Sequence, residues 1–450
     1  HATQNNDSKL AKHVYNSLDK MALGGIFDQI GGGFARYSTD EKWHIPHFEK
    51  MLYDNAQLVS LYADAYQISQ KEIYKETVYN TLDFIKKELT NKEGGFYSAL
   101  DADSKTPEGL FEEGAFYVWT KKELKDILTT DYELFANYYN INAFGFWEEE
   151  KYNLIRKNSD VEFAQEHQIT LNSLKSKVRA WKKILFEHRS HREQPRLDDK
   201  TLTSWNALML KGYLDAYRVF GEDEFLNIAT KNAHFIKKKQ LRSDGGLNHN
   251  YKNGKSNING YLEDYAAVID AYIILYVCTM DNEWLQTSKD LIDYCFAHFF
   301  DKTTNMFFFT SDLDESLIAR KTEIHDNVIP ASNSIMARNL FKLGHYFHNT
   351  SYSETAQNML NNVKQQLQEY PAGYSNWMQL YADISSPFYE VAIVGKNAQE
   401  KINEIQQHYL PNKLVAGSTI PSNLPLLKYR YQSEKTLIYV CVDGACKLPV

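Results

Sequence analysis

Residues 24–58 read GGIFDQIGGGFARYSTDEKWHIPHFEKMLYDNAQL, a stretch that joins a glycine turn, an aromatic strand, a loop bearing histidines and carboxylates, and a helix start. Gly31, Gly32 and Gly33 permit backbone conformations that a Cβ obstructs, and Phe34, Ala35, Arg36 and Tyr37 then read as a short strand. Asp54 and Asn55 open a helix in which Leu58, Leu61, Tyr62, Ala65 and Ile68 recur at spacings of three and four. One face of that helix is therefore buried, and a carboxylate stands at its positive end, where it can act on a ligand.

The same construction recurs along the chain. Tyr53-Asp54-Asn55-Ala56 has counterparts in Ser204-Trp205-Asn206-Ala207, Glu263-Asp264-Tyr265-Ala266 and Ala331-Ser332-Asn333-Ser334, with weaker members at Gly114-Ala115-Phe116 and Tyr374-Ser375-Asn376-Trp377. Glycine turns leading into short strands precede several of them: GGFARYS after Gly32, GGFYSALDADS after Gly94 and GGLNHNY after Gly245. Counted together these are six units at irregular spacing, a structural repeat rather than a strict period, with the longest insertion at residues 121–192 around a helical pattern from Leu174 to Phe186. The expected fold is mainly α, an (α/α)6 toroid of six helical hairpins with short β-hairpins in the funnel loops. A closed ring is preferred to an open solenoid because no polar capping repeat is evident. From Phe388 the texture changes: the apolar run at Glu390–Gly395, a helix near Ala398–His408, KLVAGS and KTLIYVCV make a small α/β segment. Proline ends the preceding helix at Ser386-Pro387, so the toroid is expected over 1–387 and the small segment over 388–450.

Composition narrows the function. Fifty Lys and Arg against 58 Asp and Glu give a net charge of -8 over 450 residues, with no basic stripe suited to a phosphate backbone, so nucleic acid is excluded as a partner. No apolar stretch approaches the roughly 20 residues that span a bilayer, and residues 1–20 lack the apolar block of a secretory signal, so a membrane is not expected either. The chain begins at His1-Ala2 without an initiator methionine, as a segment of a longer chain would. Of four cysteines, Cys278 and Cys295 sit in apolar helical runs and read as packed hydrophobes. Cys441 and Cys446 lack the CxxC redox spacing and either close a small loop or set two thiols together. Such sparing use of cysteine suggests a cytoplasmic, reducing compartment.

These stretches, with EGAFYVW, LDDKTLTSWNALM, LEDYA, PASNS and the terminal YVCVDGACKLPV, resemble the YyaL-type family that includes the spermatogenesis-associated thioredoxin-like protein. The resemblance covers nearly the whole chain. It implies a helical toroid similar to that of N-acylglucosamine 2-epimerases and six-hairpin glycosidases, joined in the family to an N-terminal thioredoxin-like domain that this sequence lacks. A similarity of fold does not by itself assign an activity.

Carboxylates are the main chemical theme. Asp54, Asp101, Asp103, Glu112, Glu113, Asp198, Asp199, Glu263 and Asp264 fall in or beside the expected funnel loops, and Asp101 and Asp103, two apart on an extended segment, should project from one face. Sugar chemistry uses one carboxylic acid to protonate a leaving oxygen and a second carboxylate to activate water or attack the anomeric carbon. The catalytic candidates are Asp54, Asp101, Asp103, Asp199, Glu263 and Asp264, and crowding raises their pKa values unless Arg36, Lys50 or Lys200 pairs with them. Arg36, Tyr37, Trp43, His44, His47, Tyr53, Asn55, Trp205, Asn206, His249 and Asn333 are the candidates for holding the substrate, aromatic rings offering flat faces to sugar C–H groups. Each carboxylate has a plainer reading as a helix cap.

His44, His47 and Glu49 match no strong zinc spacing, and neither a phosphate loop nor a nucleotide fingerprint is present, so no metal and no cofactor are expected. An epimerase would need a pair of histidines, for which His249 and His325 are the loop candidates. The expectation is a domain that binds a sugar or polyol and acts, if it acts, through carboxylates as a glycosidase or, with less support, as a 2-epimerase. The alternative is a noncatalytic scaffold serving a thioredoxin-like domain.

Overall fold

Apolar stripes at helical spacing, closed by left-handed or capped ends, set the secondary structure of the chain. The computed structural model describes residues 7–106, 108–315, 318–442 and 444–450. The chain divides into two compact units: the first holds the segment ending at Asn91 together with Phe96–Asp199, and the second holds Lys92–Gly95 and Lys200–Val450.

In the first unit, α1 (Ser8–Leu23) is capped by Asp7, which accepts from Leu10 N at 2.9 Å. It is followed by the hairpin α2 (Leu52–Ser69) and α3 (Glu72–Glu88), with Gln70 in the left-handed conformation at the turn. Between α1 and α2 lies the glycine turn. Asp28 Oδ1 accepts from Ile30 N and Gly31 N, each at 3.0 Å, and its carboxylate is clamped by Lys50 Nζ at 2.8 Å and Arg189 at 2.9 Å. Gly32 and Gly33 have φ of +78° and +80°, and a Cβ on Gly32 would meet Asn80 O at 2.2 Å, so the turn demands glycine. The insertion folds as three short helices, α4 (Lys121–Leu128), α5 (Tyr132–Tyr138) and α6 (Asp160–Glu166), and one long one, α7 (Leu171–Arg189). Two capping boxes, Thr120 with Glu123 and Ser159 with Glu162, start α4 and α6. Their apolar faces close on Trp181, Phe135, Tyr138 and Tyr139.

One expected helix start is a turn instead. Gly114 adopts φ +73°, accepts from Tyr117 N and Val118 N, and packs so closely on the Phe48 ring that a Cβ would stand 2.6 Å from it; the helix begins only at Lys121. Local aromatic packing overrides the pattern there, with Phe48, Tyr117 and Val118 buried together.

The second unit repeats one device. Hairpins α8 (Thr203–Phe220) with α9 (Asp223–Lys239), α10 (Leu262–Thr279) with α11 (Asn282–His298), and α12 (Ser332–Phe347) with α13 (Thr350–Glu369) are followed by α14 (Ser375–Ser385). Helices α8, α10, α12 and α14 pack side by side in that order, and α10 is buried on almost every face because it has neighbours on both sides. After α14 comes a four-stranded sheet in the order 413–418, 389–394, 437–442, 445–446, its first pair parallel and joined through α15 (Ala398–Gln406). The sheet is pinned to the C-terminal ends of α10 and α12, where Tyr276 OH donates to Gly417 O at 3.3 Å and Tyr346 OH to Val415 O at 2.8 Å. The starts of α8, α10, α12 and α14 are left to carry side-chain chemistry. Cys278 and Cys295 are buried free thiols, while the sulfurs of Cys441 and Cys446 are bonded to each other. Among the described residues no helix is long and apolar enough to cross a membrane.

Candidate functional site

Helix N-termini leave backbone N–H groups without intrahelical acceptors, and in the second unit side-chain carboxylates supply them. Asp264, with no surface exposed, accepts from Ser204 N at the start of α8 (2.9 Å) and from Tyr261 N before α10 (2.9 Å). Asp326 does the same for the next pair, accepting from Ala331 N (2.9 Å) and Asn376 N (2.8 Å). One carboxylate thus ties the starts of α8 and α10, and another those of α12 and α14.

Asp264 has a third partner. Strand Thr201–Leu202 pairs with Asn250–Tyr251, which brings His249 to the start of α10, where its Nδ1 lies 2.9 Å from Asp264 Oδ2. Burial works against a charged imidazole, but the hydrogen bond and charge of Asp264 outweigh it and raise the His249 pKa above its ordinary value. Beside this pair, Glu263 is half-buried, and its carboxyl is pushed up to about 8 by burial, with the charges of Asp264 and Glu323 adding to the rise. Ligand atoms of His249, Glu263 and Asp264 all lie within 4.8 Å of one another. Asp264 already spends its oxygens on three donors, which fits orientation of His249 better than a first-sphere metal ligand. Glu323 accepts from Ser332 N at 2.9 Å, and His325 Nε2 lies 2.8 Å from Tyr374 OH.

In the first unit the loop of residues 36–54 builds a second acidic site. Arg36 Nη1 pairs with Glu49 Oε2 at 3.0 Å and hydrogen-bonds Tyr53, while His47 reaches Glu113 Oε1 at 2.7 Å and stacks on Tyr37 with ring centroids 5.1 Å apart. Asp54 and Arg36 line an open pocket of about 520 Å³ with Tyr37 and Trp43. Asp54 Oδ2 is buried and has no hydrogen-bond partner among the described residues. Its carboxyl is pushed up to about 7, chiefly by burial; Glu49 adds to the rise and Arg36 opposes it.

The remaining candidates divide by what holds them. Asn55 and Asn333 are fully buried straps: Asn55 Oδ1 accepts from Phe34 N (2.7 Å) and its Nδ2 donates to Phe34 O (3.0 Å), and Asn333 makes the same pair of bonds to Phe307 (2.9 and 2.8 Å). Asn206 is also fully buried, giving Nδ2 to Leu202 O and accepting from Asn232. His44 is buried with Nε2 3.2 Å from Asn153 O, and burial lowers its pKa. Asp101 and Asp103 are exposed, Asp199 is half-buried in the turn before Thr201, and Trp205 is half-buried in the first turn of α8. Sequence reasoning missed Glu323 and Asp326, although an acidic residue a few positions ahead of PASNS is a readable cap signal.

The beta-L-arabinofuranosidase GH127 catalytic domain family matches residues 170–386, a span that contains His249, Glu263 and Asp264. Human spermatogenesis-associated protein 20 is 29% identical over the whole of this chain, which spans 62% of that protein's length. An uncharacterized protein of Caenorhabditis elegans is 30% identical, again over the whole chain and over 66% of its own length. Among solved structures, the cellobiose 2-epimerase of Bacillus thermoamylovorans superposes with a TM-score of 0.50 at 13% identity, covering 79% of this chain and 72% of that one. That likeness shows the fold, of the α/α toroid type. The chain is thus homologous along its entire length to spermatogenesis-associated protein 20.

Proposed function

We propose that this chain is a carbohydrate-active domain whose chemistry centres on Glu263, with His249 and Asp264 beside it. The observation that carries this reading is a half-buried carboxyl with a pKa of about 8 next to a histidine held by a buried aspartate. A carboxylic acid that stays protonated at neutral pH can donate its proton to a departing glycosidic oxygen. His249, oriented through Nδ1 by Asp264, presents its other ring nitrogen to a sugar oxygen, so Asp264 is a positioning residue. Glu323, whose charge contributes to the raised pKa of Glu263, is the second carboxylate that such a reaction needs. The match of residues 170–386 to a glycosidase domain supports the same class. In the first unit, the pocket lined by Asp54 and Arg36 also carries Tyr37 and Trp43, a lining suited to sugar hydroxyls and C–H groups.

The test is hydrolysis of a panel of aryl glycosides that includes a β-L-arabinofuranoside, run on the native chain and on Glu263→Gln. Loss of a general acid should lower turnover roughly 10²- to 10⁴-fold, with an activated leaving group partly restoring it. Equal rates in the two proteins would remove Glu263 from the mechanism. Absence of turnover on every substrate would favour the noncatalytic reading.

A further inference from the structure

The strand Leu437–Val442 turns back at Gly444, φ +75°, into Ala445–Cys446, so that Cys441 and Cys446 face each other across the hairpin with their sulfurs bonded. The two sulfurs differ in access: Cys441 has no surface exposed and Cys446 is exposed. Arg430 Nη1 lies 3.2 Å from both of them, and its guanidinium is 5.0 Å from the ring centre of Tyr439, whose hydroxyl donates to Arg430 O at 3.3 Å. Disulfide sulfur is a weak acceptor, and a guanidinium gains little by facing it. A thiolate is a different partner, because a fixed cation stabilises the charge that appears when the bond is cleaved.

A purely structural role for the bond explains less. The loop it closes has a sequence separation of 5, and the entropic gain from a cross-link falls as the loop shortens. The hairpin is also held without it, by Lys447 N donating to Val440 O at 3.1 Å and by mutual bonds between Ile438 and Val450 at 2.9 and 3.2 Å.

We propose that Cys441, Cys446 and Arg430 form a thiol–disulfide exchange site whose co-reactant is a dithiol. A thiolate of the dithiol attacks the exposed Cys446 sulfur; the bond to Cys441 breaks, and its electron pair leaves on Cys441 beside Arg430. The second thiol of the co-reactant, deprotonated, then attacks the mixed disulfide, closes the co-reactant's own disulfide and releases Cys446 as a thiolate. Two electrons pass from the dithiol to the protein, two protons go to solvent or to the new thiolates, and the reverse reaction oxidises a dithiol.

The experiment treats the native chain with dithiothreitol, quenches samples with a maleimide and locates labelled cysteines by mass spectrometry. Cys441 and Cys446 should become labelled together and re-form their bond on addition of oxidised dithiothreitol, while Cys278 and Cys295 stay unlabelled. Burial pushes the Cys278 thiol up to about 12 and raises Cys295 too, so these two serve as internal controls for folding. Arg430→Gln should slow reduction roughly tenfold, the factor for one charge-assisted hydrogen bond to the departing thiolate, and Arg430→Lys should restore part of it. With Cys441→Ser, oxidised glutathione should leave a mixed disulfide on Cys446; with Cys446→Ser, the buried Cys441 should form none. A bond that resists reduction until the protein unfolds would overturn the proposal, as would a reduction rate indifferent to Arg430→Gln in a protein that melts normally.

Discussion

His249 Nδ1 stands 2.9 Å from Oδ2 of Asp264, a carboxylate with no surface exposed that also receives the backbone N–H groups of Ser204 and Tyr261. One side chain therefore orients a titratable ring and satisfies the starts of two helices. Asp264→Asn would turn an NH2 group toward one of those donors, and leaving it unmet should cost about 2–3 kcal/mol, read as a lower urea midpoint. An unchanged midpoint would mean that the three bonds are not what holds the helix starts.

Glu263 makes stability depend on pH in a predictable direction. Its ordinary pKa of 4.5 applies to the unfolded chain and about 8 to the folded one, so the folded state keeps a proton that the unfolded state gives up. Its contribution is fully present below pH 4.5 and is lost as pH rises through about 8. Glu263→Gln should flatten the melting temperature across that window and leave the native chain the less stable of the two at its alkaline end. Parallel curves for the two proteins would show that the group is not perturbed.

Asp54 gives an independent window. Its pKa moves from an ordinary 3.8 to about 7, so its favourable contribution is present below 3.8 and lost as pH rises through about 7. Asp54→Asn should be more stable than the native chain above that value and should weaken the thermal shift produced by any sugar that stabilises the protein. A sugar-induced shift of full size in the variant would place binding elsewhere.

Lys50 and Arg189 hold Asp28 under the glycine turn, and burial alone would raise the Asp28 pKa, yet the two cations keep it well below the usual carboxylate range. Its stabilisation is present above the ordinary value of 3.8 and lost as acid protonates it. Lys50→Met removes one partner from a buried charge and should cost about 3–5 kcal/mol, measured by chemical denaturation at neutral pH. A loss under about 1 kcal/mol, the size of a surface ion pair, would contradict the buried clamp.

Asn55 and Asn333 perform one task in two units, each bonding both the N–H and the C=O of a phenylalanine from the preceding turn. Asn55→Ala and Asn333→Ala should each destabilise the chain by about 2–4 kcal/mol, since buried backbone groups lose their partners. Hydrogen exchange at Phe34 and Phe307 would report the loss locally, and unaltered protection there would refute the shared role.

The helices were legible wherever polar starts and apolar stripes agreed. Tyr53-Asp54-Asn55, Ser204-Trp205-Asn206, Glu263-Asp264-Tyr265, Ala331-Ser332-Asn333 and Tyr374-Ser375-Asn376 all fall at observed helix starts. Gly114-Ala115-Phe116 carried the same pattern into a turn, because the left-handed glycine and the Phe48 ring decided its backbone. Among the candidate residues, Asp54, Arg36, Tyr37 and Trp43 come together on one pocket, whereas the asparagines are absorbed into backbone bonds that no local pattern specifies.

By itself the sequence determined the element types, the repeated polar helix starts and the change of texture after Pro387, since these follow from periodicity and proline. Tertiary structure alone decided which carboxylate is held by donors and which is desolvated. Asp264 and Glu263 are adjacent in sequence, yet one is saturated by three donors while the other is desolvated beside it. That difference depends on neighbours brought from α8 and the Asn250 strand, and burial and hydrogen bonding are properties of the assembled fold rather than of the residue.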